Sequence, residues 1–341
     1  MEHKEYYENK TILITGGAGS IGGALTKHLL EYHPKSVRVF DNNETALYNL
    51  GQELNSNCIK LVLGDVRDDT CLRRACRDVD ILFHAAALKH VPICEFNPFD
   101  AVKTNILGTQ NVLDAALEEN IEKVIFISTD KAVNPTNVMG TTKLLAERLT
   151  ISANYYKGEK KTVFSCVRFG NVMDSRGSVI PLFKNQIQFG GPVTITDPRM
   201  SRFIMSIPKA IKLILDAGAN ALGGEIFILK MPAIHIQDLA DVMVEEFAPV
   251  FKIEANTIRY QTIGIRPGEK LFEELINQQE KNVYENDEIF VIFPKKVDCR
   301  DHINLNKIHL TKNEDNKGYS SNTMGTLSKK QIRSLIKDLI S

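Results

Sequence analysis

What this 341-residue chain lacks narrows its role before any motif is considered. No run approaches the ~20 consecutive apolar residues that a membrane-crossing helix needs. Met1 to Lys10 is polar and charged, with no apolar core of a secretory signal. Charge of one sign is missing too: 42 Lys and Arg face 42 Asp and Glu, for a formal net charge of zero. Nucleic acids and anionic membrane surfaces recruit chains with surplus Lys and Arg, so neither is an expected partner. The six cysteines, Cys58, Cys71, Cys76, Cys94, Cys166 and Cys299, form no C-x-x-C pair and no dense framework. They read as reduced thiols of a cytoplasmic protein, and no metal site is expected. Overall disorder is excluded by a composition that is 43% hydrophobic and 25% charged, that of an ordinary globular protein.

The chain is long for one domain and suits two units sharing a cleft. Short β-branched runs predict buried parallel strands at Thr11–Thr15, Ser36–Asp41, Ile59–Asp65, Ile81–Ala85, Lys123–Ser128 and Val163–Phe169. Helical patterns lie between them, at Ile21–Tyr32, Glu44–Leu54 and Pro98–Glu119. That alternation predicts an α/β fold, a doubly wound parallel sheet with helices on both faces. Past Gly170, Pro181, Gly190-Gly191-Pro192 and Asp197-Pro198 break the pattern into short pieces, as in a smaller capping unit. A helix at Pro208–Ala219 and a strand at Glu225–Leu229 are expected to rejoin the main sheet. The nucleotide-binding unit is then residues 10–172, completed by 205–231. The α/β cap is 173–204 and 232–294, with a helix at Ile236–Phe247. From about Lys295 the chain turns polar, and a loosely packed tail (295–341) with a helix from Ser328 to Ile340 is expected.

Thr15-Gly16-Gly17-Ala18-Gly19-Ser20-Ile21-Gly22 joins the first strand to the first helix, where a dinucleotide fingerprint belongs. Gly16 permits the tight turn, Gly19 lets the backbone approach a pyrophosphate, and Gly22 lets helix and strand pack closely. Ser20 and Ile21 open the helix, whose free N–H groups and positive dipole end suit the phosphates. This is the Rossmann arrangement, in the G-x-x-G-x-x-G spacing of short-chain dehydrogenases. Asp41 ends the second strand, where a carboxylate accepts both adenosine ribose hydroxyls and repels a 2′-phosphate. Asn42 and Asn43 follow with no Arg, which favours NAD over NADP. The alternative for Asp41 is a cap on the next helix. Asp65 and Val66 resemble the adenine-contacting turn of the same family. Ala85, Ala86 and Ala87 supply small residues where the cofactor lies close, and Asn105 matches a structural Asn on the long central helix.

Short-chain dehydrogenases carry Y-x-x-x-K on the helix after the fifth strand, where Lys holds the nicotinamide ribose and lowers the Tyr pKa. Here Lys143 is present but Met139 stands at the Tyr position, and a thioether is no base. Tyr156 with Lys160, and Tyr6 with Lys10, have the spacing but lie elsewhere and read as surface or packing residues. The replacement chemistry is expected just upstream, in Ser128-Thr129-Asp130-Lys131 at the C-terminal end of the fifth strand, the edge where parallel sheets bind ligands. The bland reading is an exposed Asp–Lys pair, worth under ~1 kcal/mol.

With those residues in view, the chain resembles the polysaccharide-biosynthesis 4,6-dehydratases acting on UDP-N-acetylglucosamine. The segment from Ser128 to Lys143 (S-T-D-K-A-V-N-P-T-N-V-M-G-T-T-K) carries the likeness, Met included. So do Ala86 to Pro92, Arg168 to Val172, Asp197 to Phe203 and Arg266-Pro267-Gly268-Glu269-Lys270. The likeness spans about residues 10 to 294 and lacks the N-terminal membrane region of the anchored members, so a free-standing soluble version is expected. It implies a retained NAD that takes hydride from sugar C4 and returns it to C6 after water is eliminated across C5 and C6. Thr129 then bonds the C4 oxygen. Asp130 protonates the departing C6 hydroxyl with a carboxyl raised by burial. Lys131 takes the C5 proton, with a pKa lowered by burial and by Lys143. Arg202 and Arg266 are candidate diphosphate or uridine contacts. Asn171 is a candidate for the diphosphate or sugar, Glu269 for the uridine ribose, and Lys89 and His90 for the cleft mouth. Arg199 is as readily structural. Two rivals stand beside this reading: a UDP-sugar 4-epimerase, which normally keeps the Tyr, and a catalytically inactive NAD-sensing module. By analogy, the helices Pro98–Glu119 and Asn137–Tyr156 pack between subunits, giving a homodimer or larger.

Overall fold

In a computed structural model that describes residues 3–175, 177–294 and 308–339, the β-branched runs become neighbouring strands of one sheet. Strands β1 (Thr11–Thr15), β2 (Ser36–Asp41), β3 (Ile59–Leu63), β4 (Ile81–His84), β5 (Lys123–Ile127), β6 (Val163–Arg168) and β7 (Ile226–Leu229) lie parallel, in the order 3-2-1-4-5-6-7. Every residue of β1, β4 and β5 is buried, so their middles read as apolar runs without alternation, with polar residues only at the strand ends. Beyond β7, strands β9 (Ile289–Ile292), β8 (Val283–Glu285) and β10 (Thr311–Lys312) add on antiparallel, making ten strands.

Helices cover both faces. On one, α1 (Ser20–Leu30) and α5 (Ile207–Asn220) bury Leu25, Leu29, Ile211 and Ile214 against Ile12, Ile14 and Phe83. On the other, Val112 and Leu113 of α3 (Gly108–Glu118) meet Leu13, Leu82 and Val124. α2 (Glu44–Leu54) is capped by Asn43, whose Oδ1 accepts the Ala46 N–H at 3.0 Å. α4 (Val138–Tyr156) is capped in the same way by Asn137, on the N–H of Gly140 at 2.7 Å.

Three expectations need correction. Pro98–Glu119 is not one α-helix: after Pro98–Ala101 the chain makes a π-helical stretch, Val102–Leu107, before α3. The wide turn contains Asn105, whose amide is tied sideways to Leu88 and Thr142, and such turns mark functional segments. Pro181 does not break the chain. It lies in the first turn of helix Val179–Gln188, where its missing N–H removes no intrahelical bond. The tail is not loosely packed over its described part, which begins at Ile308. Tyr319 stacks on Phe203 with centroids 5.1 Å apart and hydrogen-bonds Met231 through its hydroxyl at 2.8 Å. α7 (Lys329–Ile336) packs on the cap helix α6 (Ile236–Val250), burying Ile332 and Ile336 completely beside Leu239 and Met243. Each such side chain contributes roughly 1.5–3 kcal/mol. The start of the expected tail, residues 295–307 with Cys299, lies outside the described residues; the other five cysteines are free thiols.

Among the described residues no helix is long and apolar enough to cross a membrane. The cap core gathers Phe183, Ile187, Met243 and Phe247, and its strand Ser201–Met205 pairs with Ala233–His235 and with Asn171–Val172.

Arg168, at the end of β6, is 1% exposed and spends all five N–H groups. Two go to Glu147 of α4, at 2.6 and 3.2 Å, two to Glu280, at 3.0 and 3.2 Å, and the remaining one to the Leu275 carbonyl at 2.7 Å. Truncating it strands two carboxylates, one fully buried. Arg168→Met is therefore expected to cost about 3–5 kcal/mol, read as a lower urea midpoint. A variant as stable as wild type contradicts this accounting.

Candidate active site

The glycine-rich loop turns where β1 and β4 diverge in the sheet order, the crevice that binds ligands in open α/β sheets. Gly16 sits at φ +66°, and a Cβ there would lie 2.6 Å from the Ala86 nitrogen. A Cβ on Gly22 would lie 2.4 Å from the Gly16 carbonyl oxygen. Both positions therefore admit only glycine, while Gly19 caps the N-terminus of α1, with Ser20, Ile21 and Gly22 in its first turn. Asp41 does not cap α2, since Asn43 does. Its carboxylate instead accepts the N–H of Ala18 at 3.0 Å and that of Asn43 at 3.0 Å, which brings it beside the loop. Asn42 donates to Asp65 at 3.3 Å, and Asp65 is gripped by Arg67 at 2.6 and 2.9 Å. That guanidinium holds the Asp65 carboxyl below the usual range. Val66 is buried under Gly108, and Ala85 donates to the Thr15 carbonyl. The glycine-rich loop, the acidic end of β2 and the small residues after β4 thus lie together at one end of the sheet.

At the same sheet edge, β5 runs into Thr129 and a 3-10 turn, Asp130–Ala132. Asp130 is fully buried. Its Oδ1 accepts the Thr129 hydroxyl at 2.9 Å and the Lys131 ammonium at 2.9 Å, and its Oδ2 has no partner among the described residues. The bland reading of an exposed Asp–Lys pair therefore fails on burial. Lys131 also reaches Asn171 Oδ1 at 3.3 Å and Glu273 Oε1 at 3.7 Å. The expected lowering of its pKa is reversed: burial pulls it down, but Asp130 and then Glu273 outweigh that, and the Lys131 pKa is raised.

Lys143 is buried, donates to the Ile127 carbonyl at 2.7 Å and stands 4.0 Å from the Phe126 ring centroid. Burial lowers its pKa to about 7, against the pull of Cys166 and Glu147. Met139 is buried among Cys94, Ala101, Leu88 and Val91, an apolar plug at the usual Tyr position. The other Tyr–Lys pairs lie apart: Tyr6 and Lys10 both bind Glu122, and Lys160 binds the Leu117 carbonyl.

The turn Arg266–Lys270 is pinned against this site. Its Gly268 carbonyl accepts Asn137 at 2.8 Å and Thr136 at 3.1 Å, and Lys270 reaches the Val133 carbonyl at 2.8 Å. Arg266 and Glu269 stay near the surface, 3.9 Å apart. Arg202 is put to another use than expected. Its NH groups go to the carbonyls of Ser201, Lys270 and Leu271 and to the Met200 sulfur, leaving no free fork for a phosphate. Arg199 pairs with Asp197 on the surface, a structural role. His90 precedes helix Val91–Phe96 and lies against Gly177; burial and then Lys89 lower its pKa.

Two site residues escaped the sequence reading. Glu273, 3% exposed, meets Lys131 across the Asp130–Ala132 turn. His84 is fully buried between Thr15 Oγ1, at 2.6 Å, and Thr109 Oγ1, at 3.0 Å, with its pKa pushed down to about 3 by burial and then Lys143. Position at the end of β4 was the one available signal for His84; nothing local marks Glu273.

The chain matches the family described as "Polysaccharide biosynthesis protein" over residues 12–294. An uncharacterized membrane protein of Methanocaldococcus jannaschii is 56% identical, over 98% of this chain and 97% of its own length. A UDP-N-acetylglucosamine 4,6-dehydratase (inverting) of Campylobacter jejuni is 43% identical, over 89% of each. A UDP-glucose 4-epimerase of Rickettsia akari is also 43% identical, over 80% of each. The crystal structure of Pen from Bacillus thuringiensis shares the fold at a TM-score of 0.90, with 42% identity over 98% of both chains.

A depressed Lys143 has a measurable sign. From about pH 7 up to the unfolded lysine value of about 10.4, the unfolded chain holds a proton that the folded chain has lost, so this group adds stability as pH rises. The gap in unfolding free energy between wild type and Lys143→Met is expected to move in favour of wild type between pH 7 and 10. A gap that does not change with pH contradicts it.

Proposed function

Because the chain belongs to the polysaccharide biosynthesis protein family, we propose that it is a cytoplasmic nucleotide-sugar 4,6-dehydratase that turns UDP-N-acetylglucosamine into a UDP-4-keto-6-deoxy-N-acetylhexosamine. The observation that carries this reading is the Thr129–Asp130–Lys131 turn, whose carboxylate is fully buried and bonded by both the hydroxyl and the ammonium. A 4-epimerase needs one base at C4. Elimination of water needs, in addition, an acid for the C6 hydroxyl and a base for the C5 proton, and the turn supplies both.

NAD is the fitting cofactor. Gly16, Gly19, Ser20, Ile21 and Gly22 offer its diphosphate a glycine-only cradle and a helix N-terminus. Asp41 and Asn42 suit its adenosine ribose, Asp65 and Val66 its adenine, Ala85 to Ala87 the close backbone approach, and Lys143 the nicotinamide ribose, with Asn105 bracing the wall. Bound there, it supplies the hydride acceptor for C4 and the hydride donor for C6.

Thr129 bonds the C4 oxygen and passes the hydroxyl proton to Asp130 Oδ1, its partner at 2.9 Å. Asp130 delivers a proton to the leaving C6 hydroxyl, a role for which its unpartnered Oδ2 is free. Lys131 takes the C5 proton. Asn171, bonded to Lys131, orients the sugar end. Arg266 and Glu269 take the diphosphate and uridine ribose, and Lys89 and His90 the opposite lip. Assembly as a homo-oligomer is supported by Phe96, Phe99, Leu107 and Leu145, all exposed on or near the helices expected to pack between subunits.

Purified protein given UDP-N-acetylglucosamine and no added cofactor should form a product lighter by one water, seen by mass spectrometry. Asp130→Asn should lower kcat by about 100-fold or more, with bound NAD unchanged. Full turnover by Asp130→Asn, or conversion to the C4 epimer without loss of water, contradicts the reading.

A further inference from the structure

Glu273 has no part in the scheme above, yet it faces the catalytic lysine from a clamped backbone. Its N–H donates to Ser321 Oγ at 3.0 Å, and its carbonyl accepts the Ser321 N–H at 2.9 Å, with Ser321 wholly buried. From there its side chain enters the catalytic turn. Oε1 lies 3.7 Å from Lys131 Nζ and 3.9 Å from Arg202 Nε, while Oε2 is buried with no hydrogen-bond partner among the described residues. Buried carboxylate oxygens are ordinarily satisfied, so a bare one beside a lysine calls for an explanation.

Lys131 supplies it. Held by Asp130 and Glu273, it rests as an ammonium, and an ammonium takes no proton from carbon. Its own proton must first go to a neighbour. Asp130 is already engaged with Thr129 and the leaving hydroxyl, which leaves Glu273 as the other carboxylate paired with Lys131 among the described residues. Burial raises the Glu273 pKa, helped by Asp130 and opposed by Lys131 and Arg202, so a proton is held there more readily than on an exposed carboxylate.

We propose that Glu273 is the positioning residue that makes Lys131 a base, by receiving a proton from the Lys131 amine when substrate closes the site. The inference rests on the dehydratase reading. Lys131 is 23% exposed, and a sugar covering it removes that solvent, which favours the neutral pair over the ion pair. One N–H bond breaks at Lys131 and one O–H bond forms at Glu273. The freed lone pair then takes the C5 proton. After C6 is reduced, Lys131 returns a proton to C5 and Glu273 returns its own to Lys131, so the site ends as it began.

The test compares wild type with Glu273→Gln and Glu273→Asp. Glu273→Gln should lower kcat about 100-fold or more near neutral pH, with KM within about threefold. Its kcat should then climb with pH, because Lys131 must lose its proton to water. Glu273→Asp should restore part of the rate and flatten the profile. A Gln variant with wild-type kcat, or one depressed equally at every pH, overturns the inference. Lysine side-chain NMR reads the coupling without turnover: removing the anion should move the Lys131 titration to lower pH. An unmoved Lys131 titration overturns the pairing even if wild type fails to dehydrate UDP-N-acetylglucosamine, a failure that would itself count against the dehydratase reading.

Discussion

Arg168 is the joint on which the active site hangs. Its guanidinium, sealed from water, ties the end of β6 to Glu147 of α4 on one side and to Glu280 and the Leu275 carbonyl on the other. Glu147 in turn holds the Ser128 hydroxyl at 2.8 Å, one residue before Thr129. Leu275 lies two residues past Glu273. One planar cation therefore sets the position of the Asp130–Ala132 turn, of α4 with Lys143 and of the segment that brings Glu273. A buried ion cluster adds little net stability over a well-packed apolar one. Its value here is geometric, because five directional bonds admit one relative placement of three elements.

Within that frame the site is a study in charges kept from water. Lys143 stands over Phe126 with no carboxylate bonded to its amine, and burial brings it to about 7. Lys131, four residues from the end of β5, has two carboxylates and goes the other way. The same residue type thus acquires opposite shifts in proton affinity at two nearby positions. His84 stays neutral between two threonines and acts as a rigid spacer linking the glycine-rich strand end to α3.

The doubly wound sheet was legible because its central strands β1, β4 and β5 are buried on both faces, which writes them as short β-branched runs. β1 and β2 have the bounds their sequences suggest, and β3, β4, β5 and β6 stop one or two residues short, where the backbone leaves the sheet. The cofactor groove was legible for a local reason: Gly16 and Gly22 are demanded by contacts within the loop and with its neighbour Ala86. What stayed hidden depends on distant partners. Arg202 read as a phosphate fork because sequence does not show the carbonyls of Lys270 and Leu271 that consume it. The polar composition of the tail concealed Tyr319, Ile332 and Ile336, few in number but spaced to dock on the cap and on Phe203. Glu273 was invisible for both reasons: its role comes from Lys131, 142 positions away by numbering, and its orientation from Ser321 in that same tail.

In the reaction proposed above, hydrogen would leave sugar C4 and reach C6 of the same molecule by way of a retained cofactor. UDP-N-acetylglucosamine carrying deuterium at C4 tests it directly. The account predicts deuterium in the new C6 methyl group, with none required from solvent at that carbon. Deuterium returned to C4 in an epimerised sugar, or lost to a cofactor that must be resupplied, would contradict it.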